Sequence, residues 1–336
     1  MAQRTTIKGE IVKEYLDRFP GTPHLTLAKT IYQDNPEAFK DMRNVYDVVR
    51  YYRGKHGERD KENVTSREHV ETEERSKSPF ENLPEPMTHF ADWSPMVVDS
   101  KRSLYLSDIH VPYYSRMAVL LALEHGYKHD CDCVILAGDT IDFYTISRWQ
   151  TDPRKRDLQG ELDMTIDILT LIRNNFGHAD IFYMIGNHEE RWDRYMSIKA
   201  PELLGNKYLS FAKQINAKEL DIQIISDKRF LRIGKLNVIH GHEFGSGTAS
   251  PVNPARTFFL KGKECAIGGH YHKTSEHVEK TMTDKVISTW SAGCLCDLRP
   301  DYRPINSWNH GFAEIEKIDD VNFHVDNYKI IKGKVY

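Results

Sequence analysis

Leu104-Tyr105-Leu106-Ser107-Asp108-Ile109-His110 is the stretch from which the rest of the chain can be read. Leu104 to Leu106 is a short apolar run of the kind that forms a buried strand, and it leads directly into a carboxylate and an imidazole two residues apart. The same arrangement recurs four times downstream. Cys133 to Leu136 leads into Gly138-Asp139-Thr140-Ile141-Asp142, and Ile181 to Ile185 into Gly186-Asn187-His188-Glu189. Leu236 to Ile239 leads into His240-Gly241-His242, and Cys265 to Ile267 into Gly268-Gly269-His270-Tyr271-His272. Helical patterns beginning at Ser115 and Gly160 separate the early strands, which predicts a β-α-β construction. Ligands of such sheets bind outside the carboxyl ends of the strands, so five hydrophilic clusters at those ends describe one site.

A D-x-H pair, a second Asp, an Asn, a lone His and an H-x-H pair supply carboxylate oxygen, amide oxygen and imidazole nitrogen without thiolate. That mixture suits first-row divalent ions, zinc, manganese or iron, rather than calcium or an iron–sulfur cluster. Seven ligands exceed what one tetrahedral ion takes. Shared between two ions, with one carboxylate bridging, they make a pair of centres about 3.5–4 Å apart. Glycines before Asp139, Asn187 and His270 allow sharp backbone turns at a crowded site.

Outward from these blocks, Val286 to Trp290 predicts a further strand, and Gly311 to Ile318 with Val321 to Ile330 alternate as paired antiparallel strands do. The expected fold is α/β, a four-layer α/β/β/α sandwich over residues 97–336. Residues 1–57 predict a small all-α, helix-turn-helix-like module. Its helices run from Thr6 to Phe19, from near Leu25 to Asn35, and from Phe39 to Arg53. The third helix carries Arg43, Arg50 and Arg53, placed as phosphate contacts would be. Yet residues 1–60 hold eleven Lys/Arg against nine Asp/Glu, so nucleic-acid binding and protein docking weigh equally for this module. Residues 58–96 predict a charged, proline-rich linker, with Phe80, Phe90 and Trp93 as anchors onto the following domain.

With 336 residues, 40% of them hydrophobic and 28% charged, the chain can bury a substantial core. Its apolar runs fall short of the roughly 20 residues of a membrane span, and its first residues lack a secretion signal, so a cytoplasmic protein without a membrane partner is expected. A formal charge of −3 neither marks nor excludes a polyanion partner. Cys131/Cys133 and Cys294/Cys296 are spaced C-x-C, each pair able to share one side of a strand end. Reduced cysteines acting as small hydrophobes are expected.

The ordered blocks D-x-H, G-D, G-N-H-D/E, H and G-H-x-H, over roughly Leu104 to Asp297, resemble the calcineurin-like metallophosphoesterase superfamily. A helical N-terminal module is similar to that of members encoded in phages and prophages. The resemblance implies the four-layer fold and two divalent metal ions, manganese favoured over iron or zinc. It implies that Asp108, His110 and His272 hold the first ion, that Asn187, His240 and His270 hold the second, and that Asp139 bridges them. Of the two histidines flanking Gly241, His240 ends the strand and is taken as the ligand, which leaves His242 a supporting or substrate-facing role. The implied chemistry is attack of metal-activated hydroxide on phosphorus, with His188 as general acid and Asp142 as its carboxylate partner.

Departures from individual branches bear on substrate. The protein-phosphatase branch has an Arg after the second Asp to clamp a monoester, where this chain has Phe143. The repair-exonuclease branch usually has a His where Asp142 stands, and the purple acid phosphatase branch needs a Tyr three residues after the bridging Asp. Arg191 is the basic residue expected to touch substrate, while Tyr144, Trp149 and Trp192 offer base-stacking surfaces or core packing. The leading expectation is a phosphodiesterase acting on nucleic acid. The alternatives are a phosphomonoesterase or cyclic-nucleotide phosphodiesterase, and a non-catalytic nucleic-acid-binding or docking protein.

Overall fold

A computed structural model describes residues 6–53, 83–84, 94–245 and 252–336. The chain divides into two units, residues 1–89 and 90–336. Most of the predicted linker, including Phe80, Phe90 and Trp93, lies outside the described residues, and its last residue, Met96, already pairs with Leu231 in a sheet.

The first unit consists of α1 (Ile7–Arg18), α2 (His24–Asp34) and α3 (Met42–Arg53). They close on Val12, Leu27, Ala28, Ile31, Phe39, Val45 and Val49, the apolar positions at helical spacing. The third helix starts later than the periodicity suggests. Pro36–Ala38 form a separate turn, and the Asp41 carboxylate accepts from the Asn44 amide to cap the helix proper. Arg43 and Arg50 are exposed on α3. Arg53 is not available as a phosphate contact, because its guanidinium donates to the carbonyls of Phe19 (3.1 Å), Pro20 (2.7 Å) and Thr22, tying α3 to the α1–α2 turn.

The second unit runs β1 (Met96–Val97), β2 (Arg102–Leu106), α4 (Arg116–Lys128), β3 (Cys133–Ala137), α5 (Leu158–Asn175), β4 (Asp180–Met184), α6 (Glu190–Lys199), α7 (Phe211–Gln214) and β5 (Ile222–Ile225). It continues β6 (Leu231–Ile233), β7 (Leu236–Val238), α8 (Pro254–Gly262), β8 (Ala266–Gly268), β9 (Ser275–Lys280), β10 (Val286–Ser291), β11 (His310–Lys317), β12 (Phe323–Ile331) and β13 (Lys334–Val335). One sheet has the order β13-β12-β11-β2-β3-β4-β5, the other β1-β6-β7-β8-β10-β9. Strands β2 to β5 are mutually parallel, and β11 returns antiparallel beside β2 with Ala313 opposite Tyr105.

Alternation along the strands sends residues into two separate cores. Leu104, Leu106, Val134, Leu136 and Ile181 face Ala118, Ala122, Leu169 and Ile172 of α4 and α5. Tyr105, Ile135, Phe182 and Met184 face the other way, onto Leu231, Val238, Ile267 and Trp290 of the second sheet. Helix α8 covers the far side of that sheet, where Thr289 Oγ1 of β10 donates to the Ala255 carbonyl. The layers are therefore helix, sheet, sheet, helix. Each fully buried aliphatic or aromatic side chain contributes about 1.5–3 kcal/mol relative to exposure. The Cys131/Cys133 pair does not share a side: Cys131 precedes β3 and joins the helix-facing core, while Cys133 joins the core between the sheets. All five cysteines are free thiols. Among the described residues no helix is long and apolar enough to cross a membrane.

Candidate metal centre

The five hydrophilic blocks follow the carboxyl ends of β2, β3 and β4 in one sheet and of β7 and β8 in the other. The two sheets pack face to face, so their ends form one rim where residues more than 160 positions apart in sequence touch. The His270 amide donates to Asp108 Oδ2 at 2.8 Å, and His272 Nε2 lies 3.1 Å from Asp108 Oδ1. His240 Nε2 lies 3.3 Å from Asp139 Oδ2, and the His188 amide donates to Asp139 Oδ1 at 2.8 Å. Asp108, His110 and Asp139 form one group of mutually close ligand atoms, and Asp139, His240 and His270 form another, so Asp139 belongs to both.

The backbone is bent to reach this arrangement. Asp108, His110, Asp139, His270 and His272 all adopt positive φ, between 51° and 66°. Such conformations are uncommon outside glycine and concentrate where the surrounding structure over-determines them. Two of the glycines act by close approach rather than by φ. A Cβ on Gly186 would stand 2.4 Å from both the amide and Oδ1 of Asp139, and one on Gly269 would stand 2.5 Å from Asp108 Oδ2.

Buried carboxylates brace the loops. Glu189 accepts from the amides of Asp139, Thr140 and Gly186 at 2.8–2.9 Å and from the Tyr183 hydroxyl at 2.8 Å, fixing the loop after β3 against the loop after β4. Glu243 accepts from the amide of His240 at 2.8 Å, and Glu161 from the amides of Tyr144 and Thr145. The pattern of ligand blocks assigns Glu189 no task, since its partners in the loop after β3 lie some fifty positions away in sequence.

The residues present fit divalent cations. Asp108 Oδ1, Asn187 Oδ1 and His240 Nε2 are buried without a hydrogen-bond partner, an arrangement costing about 1–3 kcal/mol for each unsatisfied group unless something else meets it. His240 Nδ1 donates to the Ala137 carbonyl at 2.7 Å, which turns Nε2 to the centre, where a cation would take the place of its proton. His110 Nε2 and His272 Nε2 face each other at 3.2 Å, a contact that requires a proton or a cation between them. Electrostatics agree. Burial pushes His240 and His272 down, but Asp139 beside one and Asp108 beside the other outweigh it and raise both to about 10. His270, buried next to His240, is lowered to about 4.

Asp142 serves two imidazoles, where sequence reading assigned it one: Oδ1 lies 3.0 Å from Nδ1 of His110 and 3.0 Å from Nδ1 of His188. His188 Nδ1 also reaches the Asp142 carbonyl at 2.8 Å. Burial lowers the His188 pKa and the carboxylates of Asp139 and Asp142 more than reverse this, leaving it raised. Arg191 stands at the site, donating from Nη1 to the Asp142 carbonyl at 2.7 Å and from Nη2 to His188 Nε2 at 2.8 Å. His242 falls outside the cation groups, with Nε2 3.3 Å from Glu190 Oε1. Trp192 is core packing, stacked on buried Phe143 at 5.6 Å with Nε1 donating to the Leu209 carbonyl. Trp149 is 67% exposed beneath the Arg148 guanidinium. Two contacts on His272 had no signal in the sequence pattern: Cys296 Sγ at 3.7 Å from Nδ1, and the Trp308 ring at 4.2 Å.

No protein-family model matches the chain, and no curated protein matches it in sequence. Solved structures similar to it include a single mutant of Vps29 from Entamoeba histolytica, 13% identical, covering 70% of this chain and 96% of that one, TM-score 0.37. A predicted phosphoesterase from Streptococcus pneumoniae is 13% identical, covering 71% and 97%, TM-score 0.30. The phosphoesterase Yfce from E. coli is 12% identical, covering 67% and 98%, TM-score 0.32.

Proposed function

We propose that this chain is a dinuclear metal-dependent phosphoesterase that hydrolyses phosphodiester bonds, with nucleic acid as its substrate. The observation that carries this reading is the convergence of unpartnered Asp108 Oδ1, Asn187 Oδ1 and His240 Nε2 on one rim, with Asp139 common to both ligand groups. Asp108, His110 and His272 would hold one ion, Asn187, His240 and His270 the other, and Asp139 both. Two such cations supply activation of water near neutral pH and neutralisation of phosphate oxygens, with manganese the favoured metal and iron or zinc the alternatives.

The protein's own groups do the remaining work. Arg191 offers a guanidinium to a phosphate oxygen and is free to leave His188 when that stronger, charge-assisted partner arrives. His188 Nε2, freed of that donor, takes a proton from solvent, favoured by the carboxylates of Asp139 and Asp142, and gives it to the departing oxygen, worth about 10²–10⁴-fold in rate. Asp142 holds the His188 ring through Nδ1 and balances its charge. At the position after Asp142, where a second cation would grip a monoester, buried Phe143 packs on Trp192, which favours diesters. Exposed Trp149 with Arg148 stacked on it, and Arg43 and Arg50 on α3, favour a polymeric nucleic-acid substrate, with residues 1–57 as the docking element for that polymer or for a protein partner.

Hydrolysis of bis-p-nitrophenyl phosphate compared with p-nitrophenyl phosphate, each with manganese, tests the reading. Preference for the diester is expected. Preference for the monoester contradicts the nuclease assignment, and no turnover of either contradicts the enzyme.

A further inference from the structure

A second histidine–carboxylate cluster lies toward the start of β2, away from the rim that carries the candidate centre. His125 and His129 occupy the last turn and the cap of α4, four residues apart, so both rings stand on one face with centroids 3.9 Å apart. Glu314 of β11 rises against them, its Oε2 2.9 Å from His125 Nε2 and 2.7 Å from His129 Nδ1. That side chain is only 8% exposed, and Arg102 Nε sits 3.2 Å from its other oxygen as an ion-pair partner. Phe312 and Tyr328 pack on the His125 ring and limit its rotation.

The charge balance calls for a cation. Glu314 and Glu316 share the single guanidinium of Arg102, at 3.2 and 3.4 Å, while Asp326, opposite Glu314 in the β11–β12 register, pairs with His324. The carboxyl end of α4 adds the negative end of its dipole at the same place.

We propose that His125, His129 and Glu314 form a third metal site, independent of the rim, that takes one zinc-class divalent ion and staples α4 to the seven-stranded sheet. Two imidazole nitrogens and one carboxylate oxygen are a zinc ligand set that leaves a fourth position for water, and His129, 42% exposed, is the open side. Zinc at about 2.0–2.2 Å from each donor needs the donors roughly 3.4 Å apart. The shift from their present spacing is small and falls on the helix end, where the backbone is least restrained.

Metal-free wild type, His129→Ala and Glu314→Gln are dialysed against zinc and analysed for bound metal, with manganese-supported hydrolysis of bis-p-nitrophenyl phosphate measured in parallel. Both variants should hold one zinc fewer per chain than wild type while hydrolysis is unchanged. His129 is partly exposed, so its truncation does not threaten the fold and reports even if Glu314→Gln fails to fold. Equal zinc content in His129→Ala and wild type, or a zinc-edge anomalous map of the loaded protein without a peak between these three side chains, overturns the proposal.

Discussion

Arg191 donates from Nη2 to Nε2 of His188 at 2.8 Å, so the nitrogen proposed to protonate a leaving group accepts from a guanidinium. The guanidinium thus marks where a phosphate oxygen would bind, and its departure would free Nε2 to take up a proton, which the carboxylates of Asp139 and Asp142 favour. Arg191→Ala removes a charge-assisted contact worth about 1.5–3 kcal/mol, roughly 10- to 100-fold in kcat/KM. Steady-state kinetics on a diester should show that loss with metal content unchanged. His188→Ala should likewise keep its metal and lose turnover by about 10²–10⁴-fold. Parallel loss of metal in either variant contradicts the assigned roles.

Asp142 Oδ1 reaches both His110 and His188, so its removal should not resemble removal of His188. Asp142→Asn lets either ring turn over or change tautomer, weakening a metal ligand and the acid together. Outer partners of metal-binding histidines are worth about 10- to 100-fold in affinity or activity. Manganese affinity by calorimetry should fall by that factor in Asp142→Asn and stay at the wild-type value in His188→Ala.

Gly186→Ala places a methyl 2.4 Å from the Asp139 amide, pinned by Glu189, and from its Oδ1, pinned by the His188 amide, so neither atom can retreat. Overpacking of this kind costs about 1–3 kcal/mol. The variant should melt earlier than wild type and bind manganese weakly, as a thermal shift with and without metal would show. A wild-type response means the Asp139 loop is looser than its hydrogen bonds indicate.

His240 and His272, raised to about 10 by buried carboxylates, are protonated at neutral pH when no cation is present. A cation must displace those protons. Higher pH lowers that cost, so metal affinity should rise between about pH 6 and about pH 8, by about tenfold per unit for each proton expelled. Calorimetry in buffers of different ionisation enthalpy reads the released protons directly. Affinity that falls with rising pH contradicts the pairing of these histidines with Asp108 and Asp139.

The strand ends were legible because each core strand is short, apolar and followed at once by Asp, Asn or His, and the rim location follows from parallel strands alone. Ile222–Ile225, Leu231–Ile233 and Ser275–Lys280 escaped notice: the first two run into Ser226-Asp227-Lys228 and Gly234-Lys235 rather than into a ligand block, and the third is largely exposed and polar, with Glu276, His277, Glu279 and Lys280. The shared use of Asp142 depends on two rings from different loops meeting one oxygen, which spacing along the chain does not encode. Arg53 illustrates the opposite error. A basic residue at the end of a third helix reads as a phosphate contact, yet three carbonyls of a nearby turn claim it first. The Cys131/Cys133 pair misled because Cys131 sits before its strand begins, so period-two alternation does not reach it.

The most direct test is an anomalous difference map at the manganese edge from crystals of the manganese-loaded protein. Two peaks are predicted, one among Asp108, His110 and His272 and one among Asn187, His240 and His270, with Asp139 touching both. A map with no peak at this rim, or a single peak that leaves Asn187 and His270 without a cation, contradicts the dinuclear centre.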